Sequence, residues 1–111
     1  MPLEYHNENP ENTTVKSEAT GADGKIQRIY LNGKKEVIFS NKVRRETFAD
    51  GYTIVYFCNG DMKQTFPDQR IVYYFHEAQT TQTTMPDGLQ VFKFNNKQVE
   101  KHFTDGTKEI V

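Results

Sequence analysis

The chain has 111 residues, of which 35% are hydrophobic and 13% aromatic, whereas globular domains typically draw ~45–50% of their residues from a comparable apolar set that also counts Gly. This composition excludes a large two-layer core and several domains, and no apolar run approaches the ~18 residues of a membrane span. Fourteen Lys and Arg against fifteen Asp and Glu leave a net charge of −1, so no basic field attracts nucleic acid or anionic lipid.

Residues 1–20 differ in character from the rest of the chain. They contain four Glu and one Lys with no aliphatic periodicity, and we interpret them as a flexible linker or cloning remnant. The start lacks the charged and apolar regions of a signal peptide, and the single Cys58 cannot form an internal disulfide. A reducing, cytosolic compartment is therefore expected, and the domain is expected to occupy residues 21–111.

From residue 21 onward the sequence repeats every nine residues. Ten blocks with one inserted residue, in 75–84, cover residues 21–111; examples are YLNGKKEVI, FADGYTIVY and FTDGTKEIV. The third position is Asn or Asp in nine blocks, and the fourth is Gly in six. The first position is aromatic in eight blocks, at Tyr30, Phe39, Phe48, Phe57, Phe66, Phe75, Phe94 and Phe103.

Asn-Gly or Asp-Gly between β-rich segments predicts two-residue type I′ hairpin turns. Seven residues then remain between turns, which predicts an all-β, solvent-exposed antiparallel meander of about ten short strands. No helix is left to cover either face, so the sheet is expected to be a single layer without a hydrophobic core layer, stabilised by cross-strand pairs. Block 75–84 lacks the turn pair and is predicted to contain a bulge, a wider loop or a broken strand.

A two-residue turn would place the sixth, eighth and following first positions of every block on one face, called face A. Face B is expected to mix apolar residues such as Tyr52 and Ile54 with charged residues, including Asp61, Lys63 and Glu100. Face A is expected to carry all eight first-position aromatics together with Ile26, Val37, Val55, Met62, Ile71, Tyr73, Phe92, Val99 and Ile110.

The sequence offers little for catalysis. His6, His76 and His102 lack metal-ligand spacing, Cys58 flanks a turn without an evident base, and the Asp residues at third positions are explained as turn residues. No Gly-rich segment opens a helix, and a flat sheet supplies no water-excluding pocket. We therefore expect no enzymatic activity, no metal and no cofactor.

Two recognition surfaces remain. Exposed rings on face A can dock proline-rich peptides, whose extended conformation loses little entropy on binding. The edge strands can pair with another chain, so an architectural element that self-associates edge to edge is the alternative function. A platform for single-stranded nucleic acid is disfavoured because residues 21–111 carry thirteen basic and eleven acidic residues.

Several segments together resemble one family. FCNGDMKQ (57–64), PDQRIVYY (67–74), EAQTT (77–81), PDGL (86–89) and VEKHF (99–103) are similar to the G-box, or T-complex-protein-10 (TCP), domain of the CPAP family of centriole assembly proteins. The resemblance implies a long exposed antiparallel sheet that binds a proline-rich motif of the centriole duplication protein STIL. It also implies a location in the cytoplasm at the centrosome and centriole, with no role for nucleic acid or membrane.

The resemblance also assigns residues. Phe57 and Tyr73 match the aromatic positions that the family uses for the peptide, and Glu100 matches a glutamate whose loss impairs the interaction. Because Glu100 falls on face B, we expect it to have a supporting role. Proline fills the second block position only at Pro67 and Pro86, and the family domain is longer than ten blocks, so the chain is expected to be a divergent, C-terminally truncated member. The remaining contacts are expected from face A residues Val55, Ile71, Phe75 and Phe48.

Overall fold

The computed structural model describes residues 14–111, and within them eleven antiparallel strands form one sheet in which each strand pairs with the next along the chain. This confirms an all-β, single-layer meander, with no helix in the described part. The strands are β1 Val15–Thr20, β2 Ile26–Tyr30, β3 Lys35–Ile38, β4 Arg44–Thr47, β5 Thr53–Tyr56, β6 Met62–Thr65, β7 Ile71–Phe75, β8 Thr80–Thr84, β9 Gln90–Lys93, β10 Val99–His102 and β11 Lys108–Ile110.

Strand β1 lies in a segment that the sequence assigned to a linker, and this part of the prediction is wrong. Thr20 pairs with Ile26, and the Leu31 N–H donates to the Thr14 carbonyl at 3.0 Å. Every residue of β1 is exposed, so backbone hydrogen bonds rather than apolar burial hold it, and no hydrophobic period marks it in the sequence. The interpretation of residues 1–13 as a linker lies outside the described residues.

The turns are three-residue loops, so the prediction of two-residue type I′ turns is wrong. In a representative turn the Gly60 N–H donates to the Phe57 carbonyl at 3.1 Å, and the Phe57 N–H donates to the Asp61 carbonyl at 2.9 Å. This is a type I turn followed by one left-handed residue. In these three-residue loops, positive φ therefore occurs only at the fourth block position, at 86° to 95° in the six Gly, while Lys42, Gln69 and Lys97 take 71° to 76° in blocks without Gly.

The third block position has a different function from the one that a type I′ turn would give it. The Asn59 Oδ1 accepts a hydrogen bond from the Asp61 N–H at 2.9 Å, which satisfies a donor that the three-residue loop leaves without a backbone partner. The same bond recurs in all nine blocks that carry Asn or Asp there.

Because each loop has one residue more than expected, the same block position lies on opposite faces of the sheet in successive blocks. Tyr56 pairs with Met62, and Val55 pairs with Lys63, so the eighth position of one block shares a face with the seventh position of the next. A one-residue change in register inverts the side chains of a strand. Face A as predicted does not exist: Tyr30, Phe48, Phe66 and Phe103 lie on one face, and Phe39, Phe57, Phe75 and Phe94 lie on the other.

Block 75–84 contains a wider loop, as predicted. Phe75 pairs with Thr80, which leaves the four residues 76–79 between β7 and β8. The Gln79 N–H donates to the His76 carbonyl at 3.3 Å, and Gln79 takes a φ of 52°. The extra residue is accommodated in the loop, and the ladder continues on both sides of it.

The sheet is a twisted ribbon. Its Cα radius of gyration is 16.4 Å, compared with about 13 Å for a compact chain of this length. Eleven strands make ten intervals, and ten intervals of about 4.8 Å reproduce the longest extent of 48 Å. The two shorter extents, 26 and 24 Å, are nearly equal because a twist of about 20° per strand turns the strand direction around the long axis.

We name the two faces after one residue each. On the Tyr52 face, polar side chains are as buried as apolar ones and bond across strands: the Gln64 amide donates to the Tyr52 hydroxyl at 2.8 Å, and Lys34 Nζ lies 3.4 Å from Glu46 Oε2. Within residues 14–111 no side chain is fully buried. Long side chains lying across neighbouring strands thus replace a core. The most buried residues of this face are Tyr30, Lys34, Glu36, Glu46, Tyr52, Ile54, Gln64 and Tyr74.

Candidate functional site

The opposite, Tyr73 face contains a continuous cross-strand row. Val55 pairs with Lys63, Lys63 pairs with Tyr73, and Tyr73 pairs with Gln82. The row continues through Phe92 to Glu100. Six residues on β5 to β10 therefore line up at right angles to the strands and share one face.

An aromatic stack stands beside this row. The ring centroids of Phe57 and Tyr73 are 5.9 Å apart with the planes at 30°, and those of Tyr73 and Phe75 are 4.5 Å apart. All three rings are half-buried, so each keeps part of its surface accessible to solvent. Val55 and Ile71, also half-buried, lie two residues before Phe57 and Tyr73 on the same face. Five of the six face A residues proposed from the sequence are therefore brought together.

Asp61 fixes the position of the stack. Its Oδ2 accepts a hydrogen bond from the Tyr73 hydroxyl at 2.7 Å, and its Oδ1 accepts one from the His76 N–H at 2.9 Å. These two bonds favour the ionised carboxylate and lower the pKa of Asp61, while the same carboxylate raises the pKa of Tyr73. Tyr73 is therefore oriented by a hydrogen bond to a carboxylate that is ionised at neutral pH.

A depression of about 420 Å³ lies next to the stack, and it opens widely to solvent. Phe75 contributes an aromatic wall to it, and Asp61 and Glu77 contribute carboxylates. Asn59 and Ala78 complete the lining. Its shape suits one side chain of an extended ligand rather than an enclosed small molecule.

Phe48 lies apart from the other predicted site residues. It is on the Tyr52 face, where its ring centroid is 5.4 Å from that of Tyr52 and 5.8 Å from Lys34 Nζ. It was assigned to the site because every first-position aromatic was expected on one face. The three-residue loops place it on the side of the sheet opposite Phe57.

Glu100 lies on the Tyr73 face, contrary to its assignment to face B. One of its oxygens, Oε1, is 3.1 Å from His102 Nε2 and 3.2 Å from Lys108 Nζ. These partners lower the pKa of Glu100. The His102 ring also contacts Phe92, with centroids 4.7 Å apart. Glu100 is thus part of the same surface as Tyr73, three strands along the row.

Sequence reasoning missed three members of this surface. Asp61 and Lys63 were placed on the other face, face B, and His102 was considered only as a candidate metal ligand. The first and fifth block positions face one another across the loop, as Phe57 and Asp61 do. With that pairing, the alternation of side chains would have placed all three beside the rings.

Outside this surface, the described residues contain few groups that could bind a metal ion or react. They contain no group of three or more His, Cys, Asp or Glu that could hold a metal ion. The Cys58 thiol is exposed and donates to the Asn41 carbonyl at 2.9 Å. No helix in this part of the chain is long and apolar enough to cross a membrane.

Within residues 14–111, an open meander without helices, with aromatic residues on an uncovered face, defines a single-layer β-repeat domain. No family model matches the sequence. The chain is 50% identical over 102 residues to centrosomal P4.1-associated protein of Mus musculus and 48% identical over 103 residues to that of Homo sapiens, which covers 91% and 92% of this chain. It spans 8% of the length of each of these relatives.

Solved structures point to the same family. The TCP10 domain of Danio rerio CPAP in complex with a STIL peptide is 53% identical with a TM-score of 0.73, covering 78% of this chain and 48% of that one. A CPAP G-box domain structure, for which a role in centriole elongation is suggested, is 56% identical with a TM-score of 0.67, covering 70% of this chain and 51% of that one. The chain belongs to the G-box, or TCP, domain family of CPAP.

Proposed function

We propose that this chain is a scaffold module of centriole assembly that binds a proline-rich segment of a STIL-like partner on the Tyr73 face. The stack of Phe57, Tyr73 and Phe75, held in place by Asp61, is the observation that carries the proposal. The zebrafish relative that is bound to a STIL peptide supports this partner. The centrosome is the corresponding location, and catalysis has no part in this function.

Phe57 and Tyr73 are the anchors. A polyproline II segment has no internal hydrogen bonds and is extended before it binds, so flat rings can pack on its pyrrolidines at low entropic cost. The stack is preorganised for this packing because the hydrogen bond to Asp61 already orients the Tyr73 ring. Val55, Ile71 and the far side of Phe75 supply apolar surface around the anchors.

Glu100 supports the site from three strands away. Its ion pair with Lys108 connects β10 with the start of β11. Its bond to His102 lies within β10, and His102 in turn packs on Phe92. Loss of the carboxylate would release both partners and change the surface next to the row. Glu100 itself contacts the ligand only if the bound segment extends past β9.

Titration calorimetry of the whole chain with a proline-rich STIL-like peptide tests the proposal. Phe57→Ala and Tyr73→Ala should each weaken binding at least about tenfold, the loss of one well-packed ring contact. Phe103→Ala is the matched control, since Phe103 is an exposed ring on the Tyr52 face. If the two anchor variants fold and bind as tightly as the wild type, the proposed site is wrong.

Edge-to-edge self-association remains a second candidate function. Within residues 14–111, β1 and β11 are the outer strands, and every residue of both is exposed. Unpaired strand edges are templates for pairing with another chain. Light scattering over a concentration series would show a rising mass, and a constant monomer mass up to millimolar concentration would rule this function out.

A further inference from the structure

Strands β2 to β4 carry an excess of positive charge that the overall composition hides. Residues 26–47 contain six basic and two acidic residues, although the whole chain has a net charge of −1. Both acidic residues, Glu36 and Glu46, are buried on the Tyr52 face. Glu36 Oε1 lies 3.0 Å from Arg28 Nη1, and Glu46 Oε2 lies 3.4 Å from Lys34 Nζ. The carboxylates of these strands therefore neutralise cations on one side of the sheet only.

On the Tyr73 face, β2 to β4 present two cations and no carboxylate. Val37 pairs with Arg45, and Arg45 pairs with Val55. Lys35 lies two residues before Val37, so it is a diagonal neighbour of Arg45 on the same face. Both cationic side chains are exposed, and neither forms an ion pair with any residue of 14–111. The Arg45 guanidinium lies 5.6 Å from the Phe39 ring, which leaves its charge without a counter-charge.

Both cations line a depression of about 250 Å³ that crosses β2, β3 and β4. Ile29 and Val37 are its apolar lining residues. Ile29 is 38% exposed and Val37 is half-buried, so a ligand can remove further apolar surface from water. Gln27 also lines the depression and offers an amide. This surface thus combines uncovered apolar side chains with positive charge that no other described residue neutralises.

We propose that this depression is a second interaction surface, which binds an acidic protein segment. Carboxylates of the segment pair with Lys35 and Arg45, and its apolar side chains cover Ile29 and Val37. The surface is separate from the aromatic stack, so the inference goes beyond the proposed function. Single-stranded nucleic acid fits this surface less well, because its binding needs rings on which bases stack, and none of the described residues that line the depression is aromatic.

Methyl NMR of the whole chain with two capped peptides tests this surface. The Glu peptide repeats the unit Glu-Glu-Leu, and the Gln peptide has every Glu replaced by Gln. The Glu peptide should shift the methyl resonances of Ile29 and Val37 and leave those of Ile54, on the Tyr52 face, almost unchanged. The Gln peptide should bind about tenfold more weakly, and added salt should weaken the Glu peptide alone. Equal binding of the two peptides would overturn the inference.

Single charge variants locate the binding site of the Glu peptide. Lys35→Gln and Arg45→Gln should each weaken its binding about threefold. Lys93→Gln is the matched control, because Lys93 is an exposed cation on the Tyr52 face and its loss changes the net charge equally. This control should bind like the wild type. An equal loss in all three variants would show that only the net charge matters, and the inference would be wrong.

Further measurements separate this inference from the proposed function and from other ligands. Phe57→Ala, which should weaken the proline-rich peptide, should not weaken the Glu peptide. If Phe57→Ala weakens the Glu peptide as much as Lys35→Gln does, that peptide occupies the aromatic stack and the inference is wrong. It is also wrong if oligo(dT) or phosphatidylserine vesicles bind more tightly than the Glu peptide and lose affinity in Lys35→Gln.

Discussion

Tyr73 on β7 donates a 2.7 Å hydrogen bond to the carboxylate of Asp61, the residue that closes the preceding turn. The same carboxylate accepts the His76 N–H from the turn that follows β7. One side chain thus connects two turns and orients the central ring of the aromatic stack. The affinity of the site should therefore depend on Asp61 through the orientation that its carboxylate gives the Tyr73 ring.

Removing this hydrogen bond should weaken peptide binding moderately. Tyr73→Phe keeps the ring and loses the bond, so its affinity should fall about twofold to threefold, much less than for Tyr73→Ala. Asp61→Asn should give a similar loss, and the double variant should be no worse than either single one because both remove the same bond. Additive losses measured by calorimetry would show that Asp61 acts independently of Tyr73.

The pKa of Asp61 predicts a pH dependence of stability. Its folded-state pKa is lowered by the His76 N–H and the Tyr73 hydroxyl, so the ionised form stabilises the fold above the unfolded carboxyl pKa of about 3.9. That contribution should be lost as the pH falls from about 4 through the lowered pKa. The difference in unfolding free energy between wild type and Asp61→Asn should be constant from about pH 7 to 5 and shrink below about pH 4. A change between about pH 5 and 7 would contradict the assignment.

Two glycine substitutions separate backbone strain from crowding in the turns. Gly51 and Gly60 have similar φ values, 95° and 93°, but a Cβ at Gly60 would lie 2.7 Å from the His76 ring, whereas one at Gly51 meets nothing within 4 Å. Gly51→Ala should cost about 1 kcal/mol through strain alone. Gly60→Ala should cost about 1 kcal/mol more because the neighbouring turn must move. Equal losses in chemical denaturation would show that the turns do not pack on one another.

The ion pair of Lys34 and Glu46 on the Tyr52 face should be costly to break singly. Lys34 is 4% exposed, and its ammonium lies 4.3 Å from the Tyr30 ring centroid. Glu46→Leu leaves this charge without its carboxylate and should destabilise the fold by about 3 kcal/mol. Adding Lys34→Met should recover most of that loss, because the pair is then replaced by apolar side chains. If the double variant loses the sum of the free energies lost by Glu46→Leu and by Lys34→Met alone, the two residues stabilise the fold independently of each other.

The sequence was sufficient for the repeat and the strand order, because a nine-residue period with Asn or Asp before Gly is a strong local signal. It was insufficient to decide which side chains share a face of the sheet. Asn-Gly is compatible with loops of two or three residues, and that single residue decides whether Phe48 and Glu100 lie with Phe57 or opposite it. Lys42, Gln69 and Lys97 carried the missing information, since a fourth position filled by such residues fits one left-handed residue better than a type I′ pair.

Strand β1 was missed for another reason. Its six residues are all exposed, so neither alternation nor hydrophobicity distinguishes VKSEAT from a linker. Its position depends on the paired edge of β2, which is a tertiary property. Local sequence patterns predict strands with a buried face much better than strands whose residues are all exposed.

Methyl NMR during a peptide titration tests the central claim most directly, because neighbouring residues in this sheet report on opposite faces. Val55 and Ile71 lie on the Tyr73 face, and their chain neighbours Ile54 and Val72 lie on the Tyr52 face. A proline-rich peptide should shift the methyl resonances of Val55 and Ile71 and leave those of Ile54 and Val72 almost unchanged. Shifts confined to Ile54 and Val72, or equal on both faces, would contradict a binding site on the Tyr73 face.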